Sequence, residues 1–208
     1  MINKINLGVL LSGGGNTLQN FIDQIEKGKL NATIQVVISS KSDVVGLDRA
    51  RKHGIPTAVV PYSNYKNVDA FSQAITAELD KYPIDLITLA GFVHFYKIPE
   101  KYKGKVMNIH PGLIPAFCGH NYYGSKVHEA VINYGAKVSG GTVHFADNVY
   151  DNGPIIIQRA VPVLEDDTPE SLAVRVFKEE CEAYPEAIRL FAAGRLKIEG
   201  RKVRILNI

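Results

Sequence analysis

The chain has 208 residues, 46% of them hydrophobic and 22% charged, with a formal net charge of +3. That balance fits one large globular domain and is too weakly basic to argue for nucleic acid, although it does not oppose a phosphorylated substrate. Two cysteines without Cys-x-x-Cys spacing, Cys118 and Cys181, point to neither a disulfide scaffold nor a zinc site, and no apolar run reaches the roughly 20 residues that span a bilayer.

Ile5 to Leu11 is a compact apolar run that predicts a first strand. Asn6 interrupts it and Ser12-Gly13-Gly14 follows too soon for a signal peptide, so the expected compartment is the cytoplasm. Leu18, Phe21, Ile22 and Ile25 then recur at helical spacing, with the helix ending near Gly28. Between strand and helix stands Ser12-Gly13-Gly14-Gly15-Asn16-Thr17. Such a loop suits phosphate, because glycines let the backbone approach an anion and the helix N-terminus offers unpaired N–H groups. Asn16 or Thr17 is the expected cap. The loop is neither G-x-G-x-x-G nor a nucleotide P-loop, which favours a phosphate monoester over a dinucleotide or ATP. A tight turn without a ligand is the plainer alternative.

Thr33 to Ser39, Pro56 to Val60 and Asp85 to Ala90 read as further strands, the last nearly all apolar as a central parallel strand requires. Val45 to His53, stopped by Gly54, and Asp69 to Tyr82 read as helices between them. This alternation predicts an α/β fold with a doubly wound, mostly parallel sheet and helices on both faces. Ligands of such sheets bind beyond the carboxyl ends of the strands. Gly91-Phe92-Val93-His94-Phe95-Tyr96 therefore either walls a pocket for a flat heterocycle or packs a loop onto the sheet.

Lys105-Val106-Met107 leads into Asn108-Ile109-His110-Pro111. Alternation along a strand puts Asn108 and His110 on one face, and Pro111 ends the ladder. An amide that donates to an oxyanion beside an imidazole that carries a proton suits addition to a carbonyl. The plainer alternative is a strand-end turn whose side chains bond nearby backbone. His110, His120 and His128 lack the close spacing of zinc ligands, and His128 is expected on the surface of a helix over Lys126 to Tyr134. Val138 to Phe145 is a strand whose two glycines predict a bulge or close backbone approach, with His144 a packed, structural histidine. In the loop Asp147-Asn148-Val149-Tyr150-Asp151-Asn152-Gly153-Pro154, Asp151 either caps the turn or faces the His110 strand end, where it raises the imidazole pKa. Ile155 to Gln158 follows as a strand. Thr168 and Pro169 open the last major helix, which Pro185 kinks or restarts, and Leu196 to Ile198 with Val203 to Ile205 reads as a terminal hairpin. Lys178, Glu179, Glu180 and Glu182 read as a solvated face.

Taken together, Val9 to Gln19, Leu89 to Phe92, Asn108 to Pro115, and Gly141 to Phe145 through Asp151 to Gln158 resemble the phosphoribosylglycinamide formyltransferase (GAR transformylase) family, in the family's order and over nearly the whole chain. The resemblance implies a Rossmann-like formyltransferase domain over 1–208, with a phosphate-binding β/α half (1–105) and a catalytic, folate-binding half (106–208) that includes antiparallel strands. It implies transfer of the formyl group of 10-formyltetrahydrofolate to glycinamide ribonucleotide in purine biosynthesis, without a metal, nucleic acid or membrane, by a monomer or homodimer. Catalysis falls to Asn108, His110 and Asp151. Gly15, Asn16, Thr17 and Glu180 hold the ribonucleotide, which takes Glu180 out of the solvated face. Val93, His94, Phe95, Tyr96, Asn108, Asp147, Asn148, Val149, Tyr150 and Asp151 meet the folate. Val68 stands where the family has an arginine near the folate tail, so that contact is either lost or supplied by another residue such as Lys66, and the loop Phe117 to Gly124 carries an extra Tyr122-Tyr123. Methionyl-tRNA formyltransferase and formyltetrahydrofolate deformylase, of the same superfamily, carry a further domain for which this length is expected to leave no room. A sugar-nucleotide formyltransferase, a formyltetrahydrofolate deformylase and a non-catalytic binding protein are the alternatives.

Overall fold

The computed structural model describes residues 4–207. Its strands are β1 Ile5–Leu11, β2 Ala32–Ser39, β3 Thr57–Val59, β4 Leu86–Leu89, β5 Val106–His110, β6 Val138–Phe145, β7 Ile155–Pro162, β8 Leu196–Glu199 and β9 Lys202–Ile205. Its α-helices are α1 Asn16–Glu26, α2 Val45–Lys52, α3 Val68–Leu79, α4 Ser125–Tyr134 and α5 Pro169–Ala192. The strands are ordered β3-β2-β1-β4-β5-β6-β7-β9-β8. Pairing is parallel for β1 with β2 and β4 and for β2 with β3, and antiparallel for β6 with β7 and β8 with β9. This is the α/β architecture expected from the alternation. Compact units comprise Met1–Met107 and Asn108–Ile208.

In the first unit β1 is covered on both faces, with Leu7, Val9, Leu10 and Leu11 fully buried, as a central parallel strand demands. The chain steps outward from β1 to β2 and β3, then returns to place β4 on the other side of β1. The topological switch point therefore lies between β1 and β4, and the glycine loop leaves β1 there. Ser12, 5% exposed, ties this edge together. Its N–H donates to the Gly91 carbonyl, and its hydroxyl lies 2.6 Å from that of Ser40 and accepts from the Val93 N–H. The expected side-chain cap of α1 is not found. Gly15, with φ 70°, is the N-cap residue, and Asn16 and Thr17 are already inside the helix.

In the second unit Val127 and Val131 of α4 pack with Val161 of β7 and with Leu172 and Val176 of α5. His128 does not lie on the surface. It is 4% exposed because α4 buries two adjoining positions, Val127 and His128, rather than a narrow stripe. Thr168 caps α5 as expected, in a reciprocal box with Ser171. Pro185 neither breaks nor restarts that helix, which runs 24 residues through it with Tyr184, Pro185, Ala187 and Ile188 buried. Apolar burial on both sides of the proline offsets the missing N–H. Close approach in β6 occurs at Gly140, where a Cβ would stand 2.0 Å from the Arg159 carbonyl oxygen; the register shift falls later, between Val143 and His144. Among the described residues no helix is long and apolar enough to cross a membrane.

Candidate active site

The glycine loop of the first unit is shaped by α2. A Cβ on Gly15 would stand 2.7 Å from Gly46 Cα, and one on Gly46 would stand 2.8 Å from the Gly13 carbonyl oxygen. Glycine at both positions lets loop and helix touch. At Gly13 and Gly14 a Cβ would meet nothing within 4 Å, so their outer side is open. Gln19 N–H donates to the Gly15 carbonyl, which leaves the N–H groups of Asn16, Thr17 and Leu18 without acceptors inside the helix. Arg49 of α2 was not singled out from sequence, yet its guanidinium donates to Gly14, Asn16 and Gln19 of this loop and helix. Its three-residue offset from Gly46 on one helix face was the available signal.

Within Val93 to Tyr96 the side chains divide. Val93 is 41% exposed, whereas Tyr96 is 4% exposed and its hydroxyl lies 2.9 Å from that of Thr76. The His94 ring stacks on Tyr62 at 4.4 Å and meets Phe71 edge-on. Burial, followed by the nearby charge of Lys41, lowers the His94 pKa. Val68 is the first residue of α3, capped by Asn67, and Lys66 is exposed.

In the second unit Asn108, His110 and Asp151 converge. Asn108 Nδ2 lies 3.3 Å from Asp151 Oδ1, and His110 Nδ1 lies 3.5 Å from Asp151 Oδ2. The loop after β6 brings Asp151 there. Asp147 accepts from the Val149 N–H and the Asn152 amide, and a Cβ on Gly153 would stand 1.7 Å from the Phe145 carbonyl oxygen. Asp151 itself sits at φ 48°, a left-handed conformation that aspartate tolerates better than most residues. Its carboxylate accepts from the Gly119 N–H at 2.9 Å. The extended Phe117 to Gly124 loop thus supplies a donor to the aspartate, and through the Phe117 carbonyl an acceptor for His110 Nε2 at 2.9 Å. Tyr122 and Tyr123 are exposed.

A carbonyl oxygen only accepts, so His110 carries a proton on Nε2. Burial drives this imidazole below the ordinary histidine range; Asp151 and the Phe117 carbonyl pull it upward without restoring it, and His144 pushes it down. Asp151 thus pulls the imidazole upward, as the second of its two expected roles has it, but burial outweighs that pull. The resting ring is mostly neutral at pH 7, with its Nδ1 lone pair facing the carboxylate. Burial pushes the Asp151 carboxyl up, but the two imidazoles and the Gly119 N–H more than reverse this, and it stays ionised. His144 is packed as expected, 1% exposed, but it also belongs to the cluster. Its Nδ1 donates to the Phe145 carbonyl, while Nε2 lies 3.2 Å from Asn108 Nδ2 and 3.7 Å from Asp151 Oδ1.

Glu180 of α5 lies against β6. A Cβ on Gly141 would stand 3.0 Å from Glu180 Cγ and 3.8 Å from the His110 carbonyl oxygen. Glu180 Oε1 is buried without a hydrogen-bond partner, and burial pushes the carboxyl up to about 7. His120 packs beside the Tyr150 ring instead of joining His110. Among the described residues no three His, Cys, Asp or Glu side chains are grouped as a metal site.

A formyl transferase family model matches residues 5–188. The chain is 43% identical over 197 residues to the trifunctional purine biosynthetic protein adenosine-3 of Bos taurus, covering 94% of this chain and 19% of that protein. It spans 63% of the chloroplastic phosphoribosylglycinamide formyltransferase of Vigna unguiculata, at 37% identity. It is 36% identical to the phosphoribosylglycinamide formyltransferase of Escherichia coli, over 93% of this chain and 90% of that one. The crystal structure of glycinamide ribonucleotide transformylase 1 from Symbiobacterium toebii superposes with a TM-score of 0.91 at 44% identity, covering 98% of this chain and 94% of that one. With that family match running from the first residue of β1 to Ile188 within α5, the chain belongs to the formyl transferase family.

Proposed function

We propose that the protein transfers the formyl group of 10-formyltetrahydrofolate to the amino group of glycinamide ribonucleotide. The observation that carries this reading is the convergence of Asn108, His110 and Asp151, residues that sequence separates by 43 positions. The names of the Escherichia coli and Symbiobacterium toebii relatives support it. In the proposed reaction the amine nitrogen attacks the formyl carbon and makes a tetrahedral oxyanion. Asn108 Nδ2 donates to that oxygen, giving up its longer contact, the one to Asp151. His110 Nδ1 takes the amine proton, the Asp151 carboxylate stabilises the imidazolium, and the proton passes to the folate nitrogen as its bond to the formyl carbon breaks.

Gly15, Asn16 and Thr17 are assigned to the ribonucleotide phosphate, and Glu180 to donor groups on the same substrate. Val93 to Phe95 and Asp147 to Asp151 are assigned to the folate, with Tyr96 fixed behind the former. The compartment in this reading is the cytoplasm. The test follows absorbance as 10-formyltetrahydrofolate loses its formyl group, with and without glycinamide ribonucleotide. Turnover that requires the ribonucleotide is expected. Loss of formyl without it makes the protein a deformylase, and absence of turnover in both removes the proposal.

A further inference from the structure

Two carbonyls of the glycine loop point toward α2. The Gly13 oxygen accepts from the Gly46 N–H at 3.1 Å, and the Gly14 oxygen accepts from Arg49 Nε at 2.9 Å. In a trans peptide the C=O and the following N–H point in opposite directions. The N–H groups of Gly14 and Gly15 are therefore turned away from α2, on a loop where a Cβ at Gly13 or Gly14 would also meet nothing within 4 Å. Successive outward N–H groups of this kind make an anion-binding concavity.

The other arms of Arg49 act on side chains. Its two terminal nitrogens lie 3.2 Å from Asn16 Oδ1 and 3.2 Å from Gln19 Oε1. A guanidinium has donors and no acceptor, so both amides must offer it their oxygens. Gln19 agrees, because its Nε2 donates to Asp23. For Asn16 the same constraint directs the two Nδ2 hydrogens away from Arg49.

We propose that Arg49 is a positioning residue for phosphate: it fixes the Gly14–Gly15 peptide plane and the Asn16 amide so that their N–H groups face the phosphate monoester of the substrate, without touching that phosphate itself. This rests on the reading of the glycine loop as a phosphate site. It makes the planar fork, rather than the positive charge, the property that matters. Lysine carries the charge on a single flexible nitrogen and cannot hold three oxygens in one plane.

The experiment titrates ribose 5-phosphate into the wild type, Arg49→Lys and Arg49→Met, following the backbone amides of residues 13–17 and the Asn16 side-chain amide by NMR. Steady-state kinetics with the ribonucleotide run in parallel. Both variants are expected to weaken ribose 5-phosphate binding about tenfold or more and to raise the ribonucleotide KM in step. kcat should stay within about twofold, and the KM for formyl-folate should not move. Gln19→Leu, which removes one arm only, should weaken binding by about threefold and serves if Arg49→Met does not fold. Wild-type affinity in Arg49→Lys would show that charge suffices and overturn the proposal, as would wild-type affinity in both Arg49→Met and Gln19→Leu. A wild type whose loop amides ignore ribose 5-phosphate would instead remove the phosphate reading on which the proposal stands.

Discussion

His110 is held between a carbonyl on Nε2 and a carboxylate facing Nδ1, yet it rests mostly neutral because burial outweighs both. Its folded pKa lies below the ordinary 6.5, so the neutral ring persists at neutral pH and is lost as pH falls through the lowered value. If neutral His110 takes the amine proton, single-turnover rates between about pH 5 and 8 should be flat at the alkaline side and fall on the acid side, with the midpoint below 6.5. Asp151→Asn removes the upward pull, so its slower residual reaction should show that midpoint moved further toward acid. A midpoint unchanged by Asp151→Asn would assign the acid limb to another group. Asn108→Ala leaves the ring alone and removes the proposed oxyanion donor. It should slow the single-turnover rate on the order of a hundredfold or more, with little change in that midpoint. At this scale sequence was informative about Asn108 and His110, because strand alternation places them on one face. It left Asp151 open between capping and catalysis, because a contact across 41 residues depends on how the loop after β6 folds back.

Among the elements, those with a local cause were the most legible. Thr168-Pro169 announced the start of α5, and its box with Ser171 is present. Thr168→Ala should cost about 1 kcal/mol of stability, read as a lower urea midpoint at unchanged slope, while formyl transfer is retained. A loss far below that would mean the Asp167–Arg175 pair, at 2.6 Å, holds the helix start alone. Elements decided by packing were less legible. Pro185 could be read as a kink or a restart, and only the buried residues beside it explain why α5 continues. His128 had the chemistry of a surface residue on a short helix, but α4 buries a wider arc than its apolar residues mark out. The cap of α1 went to Gly15 because a left-handed residue was required where the loop touches Gly46.

For the whole molecule, the alternation of strands and helices in the first unit fixed the α/β class, and the switch point between β1 and β4 follows from the strand order. In the second unit the terminal hairpin was legible from residue pattern, whereas antiparallel strands elsewhere were expected only from the family resemblance. What sequence could not supply was coupling between elements: Arg49 reaching back 35 residues to Gly14, and the Phe117 to Gly124 loop serving His110 and Asp151 together. Backbone carbonyls and N–H groups provide most of that coupling, and they leave no mark on residue type.

The carboxyl of Glu180, whose Oε1 is buried without a hydrogen-bond partner, has a consequence for heat rather than for geometry. In the free protein its pKa of about 7, above the ordinary 4.5, means that stability declines as pH rises through about 7. It also means that near neutrality the empty site holds roughly half a proton there. A ribonucleotide that donates to this carboxylate favours the ionised form, so binding expels that fraction into the buffer, and affinity should strengthen with rising pH until it levels off above about 7. Calorimetric titration with glycinamide ribonucleotide in PIPES and in Tris should therefore give different apparent heats, and Glu180→Gln should bring them together. Equal heats for the wild type would remove Glu180 from contact with the ligand. On this reading the enzyme's grip on its substrate responds to the acidity of its surroundings, through one side chain that takes no part in moving the formyl group.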